Sequence, residues 1–562
     1  MSTAAAVPIV VSPTDSNLVS PSLQPETLEP PHIRPIPDRE ASVPSKCQSQ
    51  IGVEEWVPKR RRPAKKPTSK DEVSETAISK KLVDVSVHHR FPSCLQEDFT
   101  PGNDGAWTSF VTSFEQKCAP RCPMRLALLA WSAKRSASDK LPTNPVIASW
   151  HSQASAEVDK LMALPDPMVE LGVRPVRTAA EVIICASLFL NRYDQLSDNL
   201  DLIDARLQRI TRWLAKHPED LKLSFLASKL LLWTSYLETR LAIFNTRRGH
   251  CTTLLEALSQ RADYHRILEA SHWLHADLLG KEYPKEQLAS DVERIPAALH
   301  LHETFCILAK VARFQCLQQM TFREQGGWEA LVLSARSDIE ANLQRLEADF
   351  ELAAVVNESA GVLRFGLVPS TWHQASTVGP NSSRSVRSEI ASTACSYSLQ
   401  AGNPPNPETL SLASLNWLTA YAVSLTAKIL WSRTAYPDMR ADHTSARAAE
   451  SIMQVALLLR KAHGRQPHDQ TLPSALWLLP LFTAGIETTD EVRADWVRMF
   501  VLDLAEAERD RDIGRREHAR KVLGLMEYVR KKQDQSGMRV SVEEAMKQME
   551  GPNGMLMFLG QQ

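Results

Sequence analysis

Leu223, Leu226, Leu230, Trp233, Leu237, Leu241 and Phe244 recur at steps of three and four. That spacing lines one face of an α-helix and cannot line one face of a strand, whose side chains alternate with a period of two. That helix is expected over about Leu221 to Thr246, and the same pattern returns over about Thr178 to Tyr193, Leu200 to His217, Thr252 to Leu279, Pro296 to Met320 and Trp328 to Val356. It returns again over Leu410 to Trp431, His443 to His463 and Ile513 to Lys532. No strand-turn-strand pattern interrupts it, and glycine is scarce, at 20 in 562 residues. The expectation is an all-α fold, a multi-helix array of antiparallel helical hairpins joined by short loops. No period of about 34 or 40 residues recurs, so a tetratricopeptide or HEAT array is not expected.

The helical pattern is absent at the N-terminus. Residues 1–105 are rich in Pro, Ser, Thr and Glu, and 13 of the 34 prolines fall in the first hundred positions. Such a segment buries too little apolar surface to offset a chain entropy of roughly 1–2 kcal/mol per residue, so it reads as a disordered arm. The folded body then divides into a first part, 106–368, a polar loop or insertion, 369–408, and a C-terminal part, 409–562. Trp107, Phe110, Val111 and Phe114 share one helical face and open the body. The insertion holds Gly379-Pro380-Asn381-Ser382-Ser383 and Gly402-Asn403-Pro404-Pro405-Asn406-Pro407.

A net charge of −1 gives no global electrostatic bias, so any nucleic-acid contact must be local. The one concentrated charge run lies in the arm, where Lys59, Arg60, Arg61, Arg62, Lys65, Lys66 and Lys70 place seven bases in twelve residues without an acid. Three readings stand. An extended basic run is accessible to a nuclear import carrier. The order of its bases also resembles an AT-hook, whose arginines lie in the narrow minor groove, although Arg61 replaces the glycine that lets such a hook sink to the groove floor. The third reading is a solvated charge run.

Nine cysteines at scattered positions form no disulfide framework, and a reducing compartment is expected. The apolar stretch from Val7 to Val11 is short and broken by Pro8, so neither a secretory signal nor a membrane anchor is expected, which leaves cytoplasm or nucleus. Cys118 and Cys122 are the only close pair, and a zinc site usually draws four ligands from two such pairs. His88 and His89 precede that pair in the arm. His272, His275, His300 and His302 lack the order of zinc proteases and read as surface or half-buried side chains. Asp194, Asp198, Asp201 and Asp204, spaced four, three and three, read as a solvated helix face. There is no Walker loop, dinucleotide fingerprint or nucleophile elbow, so no catalytic residue, metal or cofactor is assigned and an enzyme is not expected.

The densest apolar run is Leu476 to Glu487. It is too short to cross a bilayer, and its Pro480 and Gly485 suggest a kinked or tightly packed buried helix. Thr488 and Glu491 have capping-box spacing ahead of a helix through Val492, Trp496, Met499 and Phe500, and Ser541 with Glu544 caps a short last helix.

The order Trp477, Pro480, Leu481, Phe482, Ala484, Gly485, Glu487, followed by Asp490, Arg493 and Trp496-Val497, resembles the regulatory domain of fungal-specific transcription factors. Looser similarity extends over about Val173 to Lys532. The resemblance implies an all-α nuclear protein that modulates transcription by RNA polymerase II, in a family whose members commonly carry an N-terminal binuclear zinc cluster of six cysteines. Here only Cys47, Cys94, Cys118 and Cys122 precede the helical body, at unsuitable spacings, so six thiolates cannot be assembled. Either an exon is missing or the protein acts without its own cluster. The reading is therefore a nuclear regulator, with a metabolic gene cluster as one conceivable target. Its expected partners are an import carrier, the transcription machinery or another factor, a second copy of itself, and DNA through the arm, with no membrane contact. The alternatives are a helical scaffold that does not bind DNA and an all-α enzyme of unrecognised type.

Overall fold

The computed structural model describes residues 122–136, 145–171, 177–197, 199–245, 251–272, 285–323, 329–357, 362–365, 412–440, 442–463, 474–507 and 513–550. Outside these residues lie the basic cluster Lys59 to Lys70, Trp107 to Phe114, Cys118, Asp198, His275 and the insertion at 369–408.

The described protein is all-α. Its first part begins with α1 (Pro123–Ser136), α2 (Pro145–Met162), α3 (Ala179–Leu196), α4 (Leu200–Lys216) and α5 (Phe225–Phe244). Two short helices follow, α6 (Leu254–Ser259) and α7 (Tyr264–His272), then the 39-residue α8 (Lys285–Arg323) and α9 (Glu329–Ala353). Beyond α9 the only described strands, β1 (Ala354–Asn357) and β2 (Val362–Phe365), pair antiparallel. The C-terminal part holds α10 (Leu412–Ala435), α11 (His443–His463), α12 (Ser474–Glu487), α13 (Glu491–Ala507), α14 (Ile513–Ser536) and α15 (Val542–Glu550).

Local chemistry sets several boundaries. Thr178, Asn199 and Ser224 each accept a hydrogen bond from a backbone N–H of the following first turn, which gives α3, α4 and α5 their N-caps. The helix expected from Leu221 therefore starts at Phe225. Lys222 has a φ of 46°, which no α-helix accommodates, and the Leu221 N–H donates instead to Asp263 Oδ2 at 3.0 Å. The single helix expected from Thr252 is broken between α6 and α7. There the buried Arg261 guanidinium donates to Asp263 and to the carbonyls of His217 and Glu219. In the opposite direction, α8 starts before Pro296 and runs through it, since proline's fixed φ fits a helix at the cost of one hydrogen bond.

Helix α8 is the spine. It packs against α5 and α6 on one side and against α9 and α10 on the other, so it links the first and last parts of the body. One continuous core runs from Cys122 to Met546, and a smaller cluster joins Ile307, Val311 and Phe314 of α8 to Ile339 and Trp431. Helix α5 is buried on all sides rather than along one stripe, with Glu238 and Thr239 fully enclosed. Among the described residues no helix is long and apolar enough to cross a membrane.

The expected solvated aspartate face holds only in part: Asp201 of α4 is exposed and Asp204 half-buried, but Asp194, which closes α3, is 1% exposed, bound by Arg206 Nη1 at 2.7 Å and by His151 Nε2 at 3.1 Å. Spacing could not report this, because α3 ends at Leu196 and α4 starts at Leu200, so the four positions do not belong to one helix. His300 and His302 are also buried, at 6% and 3% exposure, not at the surface. One disulfide, Cys251–Cys316, occurs among the described residues, where no cysteine pairing was expected.

Candidate functional site

The signature run forms α12, and every residue from Trp477 to Thr488 is buried. This helix packs against α10, α11, α13 and α14, so it needs an apolar surface in every direction. Trp477, Leu481 and Phe482 are fully enclosed. The helix is continuous through Pro480, whose carbonyl accepts the Thr483 hydroxyl at 2.9 Å. Gly485 leaves room for side chains of two neighbouring helices. A Cβ there would collide with Met526 Sδ of α14 and lie 3.3 Å from Val497 Cγ1 of α13.

Glu487 ends the helix inside a buried ionic clamp. Its carboxylate accepts from Arg433 of α10 and, at 2.7 Å, from Arg539 Nη2 in the turn before α15. Both arginines do further work. Arg539 Nη1 donates to the carbonyls of Ser432 and Tyr436 at 2.8 and 3.1 Å, and Nη2 donates to Ser445 Oγ at 2.9 Å. Arg433 donates to Gln533 Oε1 at 3.1 Å and to the Val540 carbonyl at 2.7 Å. Gln533 Nε2 donates to the Ile486 carbonyl at 2.7 Å, and Arg530 Nη1 to the carbonyls of Gly485 and Thr488 at 3.0 and 3.1 Å.

The physical logic is capping in trans. The last carbonyls of a helix have no intrahelical partner and carry the negative end of its dipole. Here Arg530 and Gln533 cover those of α12, and Arg539 covers those of α10. Burying two guanidiniums then requires negative charge. Glu487 supplies one, and Asp442, 3.8 Å from Arg539, supplies a second. Burial lowers the pKa of Arg433 and Glu487 opposes that shift. For Asp442, burial acts upward but is outweighed by the Ser432 hydroxyl and the Ser445 N–H, which hold its carboxyl below the usual range.

The remaining signature residues lie outside this clamp. Arg493 is half exposed and pairs with Glu450 at 2.9 Å and Asp490 at 3.5 Å, a surface arrangement. The expected Thr488 capping box is replaced by Asp490, the residue immediately before α13, whose Oδ1 accepts the Val492 N–H at 2.9 Å. Ser541 caps α15 as its sequence spacing indicates, accepting the Glu544 N–H at 3.3 Å.

A second polar cluster sits on the spine. His302 has both ring nitrogens engaged, Nδ1 by the Tyr236 hydroxyl at 2.7 Å and Nε2 by the Tyr264 hydroxyl, with Cys306 Sγ 3.6 Å from Nε2. Burial, with a smaller contribution from His272, pushes His302 down to about 3. Burial also pushes the Cys306 thiol up to about 11. At neutral pH the cluster therefore holds a neutral imidazole and a protonated thiol, a poor combination for nucleophilic attack. Among the described residues no three His, Cys, Asp or Glu side chains converge as a metal ion would need. Sequence reasoning assigned none of Arg433, Arg539, Gln533, Tyr236 or Tyr264. The available signal was a charged or amide side chain on an otherwise apolar helical face, as Arg433 is on α10.

Comparisons with protein-family profiles, curated proteins and solved structures found no match to this chain.

Proposed function

We propose that this protein is a nuclear transcriptional regulator of the fungal-specific type, working by binding and not by turnover. In this reading the helical body receives partners, the arm residues Lys59 to Lys70 carry import information, and target specificity comes from dimerisation or from another DNA-binding factor. The arm then adds a salt-sensitive phosphate contact of low sequence specificity.

One observation carries the reading. The residues whose order resembles the regulatory domain, Trp477, Pro480, Leu481, Phe482, Gly485 and Glu487, fall on the most enclosed helix of the C-terminal part and have distinct physical jobs there. Gly485 meets Met526 and Val497, and Glu487 meets Arg433 and Arg539, and these contacts are what supports the reading.

Two measurements test it. Chromatin occupancy of the tagged full-length protein should show discrete enriched loci, and a profile indistinguishable from an untagged control would overturn the reading. Fluorescent full-length protein should concentrate in the nucleus and lose that concentration when Arg60, Arg61, Arg62, Lys65 and Lys66 are changed together to alanine. Cytosolic signal in both versions would remove the import role.

A further inference from the structure

We propose that Cys251 and Cys316 form a reversible oxidation-sensitive clasp that sets how firmly the first helical part is held to the spine. Their Cα atoms are 5.4 Å apart and their sulfurs are bonded, across a sequence separation of 65. Cys316 lies on α8 and is 7% exposed, while Cys251 is half-buried in the segment that leads into α6. An oxidant thus reaches Cys251 first, and the sheltered Cys316 is in place to resolve it.

What the clasp reinforces is a short element whose apolar side already lies in the core, with Leu254, Leu255 and Leu258 enclosed. Helix α6 spans only Leu254–Ser259. Thr253 caps it, with Glu256 returning the hydrogen bond, and the Leu254 N–H donates to the enclosed Glu238 carboxylate at 3.1 Å. Towards α8, Arg313 reaches Glu256 at 3.4 Å, and Arg313 is half exposed. Since α8 also packs against α10, a covalent tie from α6 to α8 acts on the element that joins both parts of the body.

The chemistry balances with a hydroperoxide as oxidant. The Cys251 thiolate attacks the peroxide oxygen, giving a sulfenic acid and releasing an alcohol or water. The Cys316 thiol then displaces hydroxide from that sulfur, so the S–S bond forms and water leaves. Two molecules of a low-molecular-weight thiol reverse the reaction and become its disulfide. Cys122, Cys185 and Cys306 carry no disulfide. Reversibility in the cell rests on the proposed nuclear role, because a disulfide in reducing surroundings persists only while oxidant is supplied.

The test uses purified full-length protein, so it stands or falls separately from localisation and occupancy. Hydrogen peroxide followed by thiol mass-tagging and peptide mapping should locate one new bond at Cys251–Cys316. Oxidation should raise the thermal midpoint by roughly 3–6 °C through loop closure. Millimolar reduced glutathione should reverse both changes. Cys251→Ser should abolish the midpoint shift and Cys306→Ser should keep it. If Cys251→Ser does not fold, the mapped bond and its reversal in the unaltered protein decide the matter. A bond between other cysteines, an unmoved midpoint, or a bond that glutathione leaves intact would overturn the proposal.

Discussion

The Glu487 clamp and the His302 cluster are both enclosed polar sites between packed helices, yet they are built from opposite materials. The clamp uses full charges. Arg433 and Arg539 are balanced by Glu487 and Asp442, and each guanidinium also satisfies backbone carbonyls. The cluster around His302 uses neutral groups, two tyrosine hydroxyls and a thiol around an uncharged imidazole. The contrast follows from position. At the ends of α10 and α12 exposed carbonyl dipoles favour cations, and cations in turn need a buried carboxylate. In mid-helix on α8 there is no free carbonyl to satisfy, and hydroxyl-to-imidazole hydrogen bonds suffice. Removing a charge should therefore damage the clamp most, whereas adding a proton should damage the cluster.

The largest effect is expected from Glu487→Ala, which leaves two enclosed guanidiniums short of their shared counter-charge. Losing one partner of a buried pair costs about 3–5 kcal/mol, so urea unfolding should show a clearly lower midpoint. A loss below about 1 kcal/mol would erase the distinction between the clamp and an ordinary surface pair.

Acid sharpens the comparison next. The folded pKa of His302 is about 3, against 6.5 for the free group, and between those values the unfolded chain binds a proton that the folded chain refuses. This histidine costs nothing above about pH 6.5, and its penalty grows as the pH falls, by up to about 1.4 kcal/mol per unit. His300 and His272, both lowered to about 4 by burial, act in the same direction. Asp442 has the depressed-carboxylate sign, so its contribution is lost only at lower pH, as its lowered value is crossed. Stability measured from pH 7 to 4 should fall, and His302→Gln should flatten that slope. An unchanged slope would mean that His302 does not resist protonation.

The smallest effect belongs to Arg493→Ala. Its side chain and that of Glu450 are 47% and 42% exposed, and such pairs contribute about 0–1 kcal/mol. Within the resemblance Arg493 and Glu487 rank alike, but physically they do not. A stability loss at Arg493 matching that at Glu487 would break the contrast between buried clamp and surface pair.

Much of the helical layout was legible because amphipathic period and capping chemistry are local. The bounds His443–His463, the start of α14 at Ile513 and the Ser541 cap all follow from nearby residues. Pro480 and Gly485 likewise announced close packing, and Met526 with Val497 provides it. Other features were not local. Arg539 reaches Ser432 across 107 positions, and Gln533 reaches Ile486 across 47. Asp194 looked like one of a row of surface acids until Arg206 and His151 enclosed it. Thr488 has capping-box spacing, but α13 starts later, at Glu491, and Asp490 caps it.

By itself, the sequence determined that the described body is helical and that Trp477 to Glu487 is a buried helix, because periodicity and apolar density act over a few turns. Only the tertiary structure decided which polar groups are buried, which helix ends are covered by distant arginines, and that Cys251 meets Cys316. Those outcomes depend on which surfaces come within hydrogen-bonding distance, and short-range spacing carries no information about segments that meet only after the chain has folded.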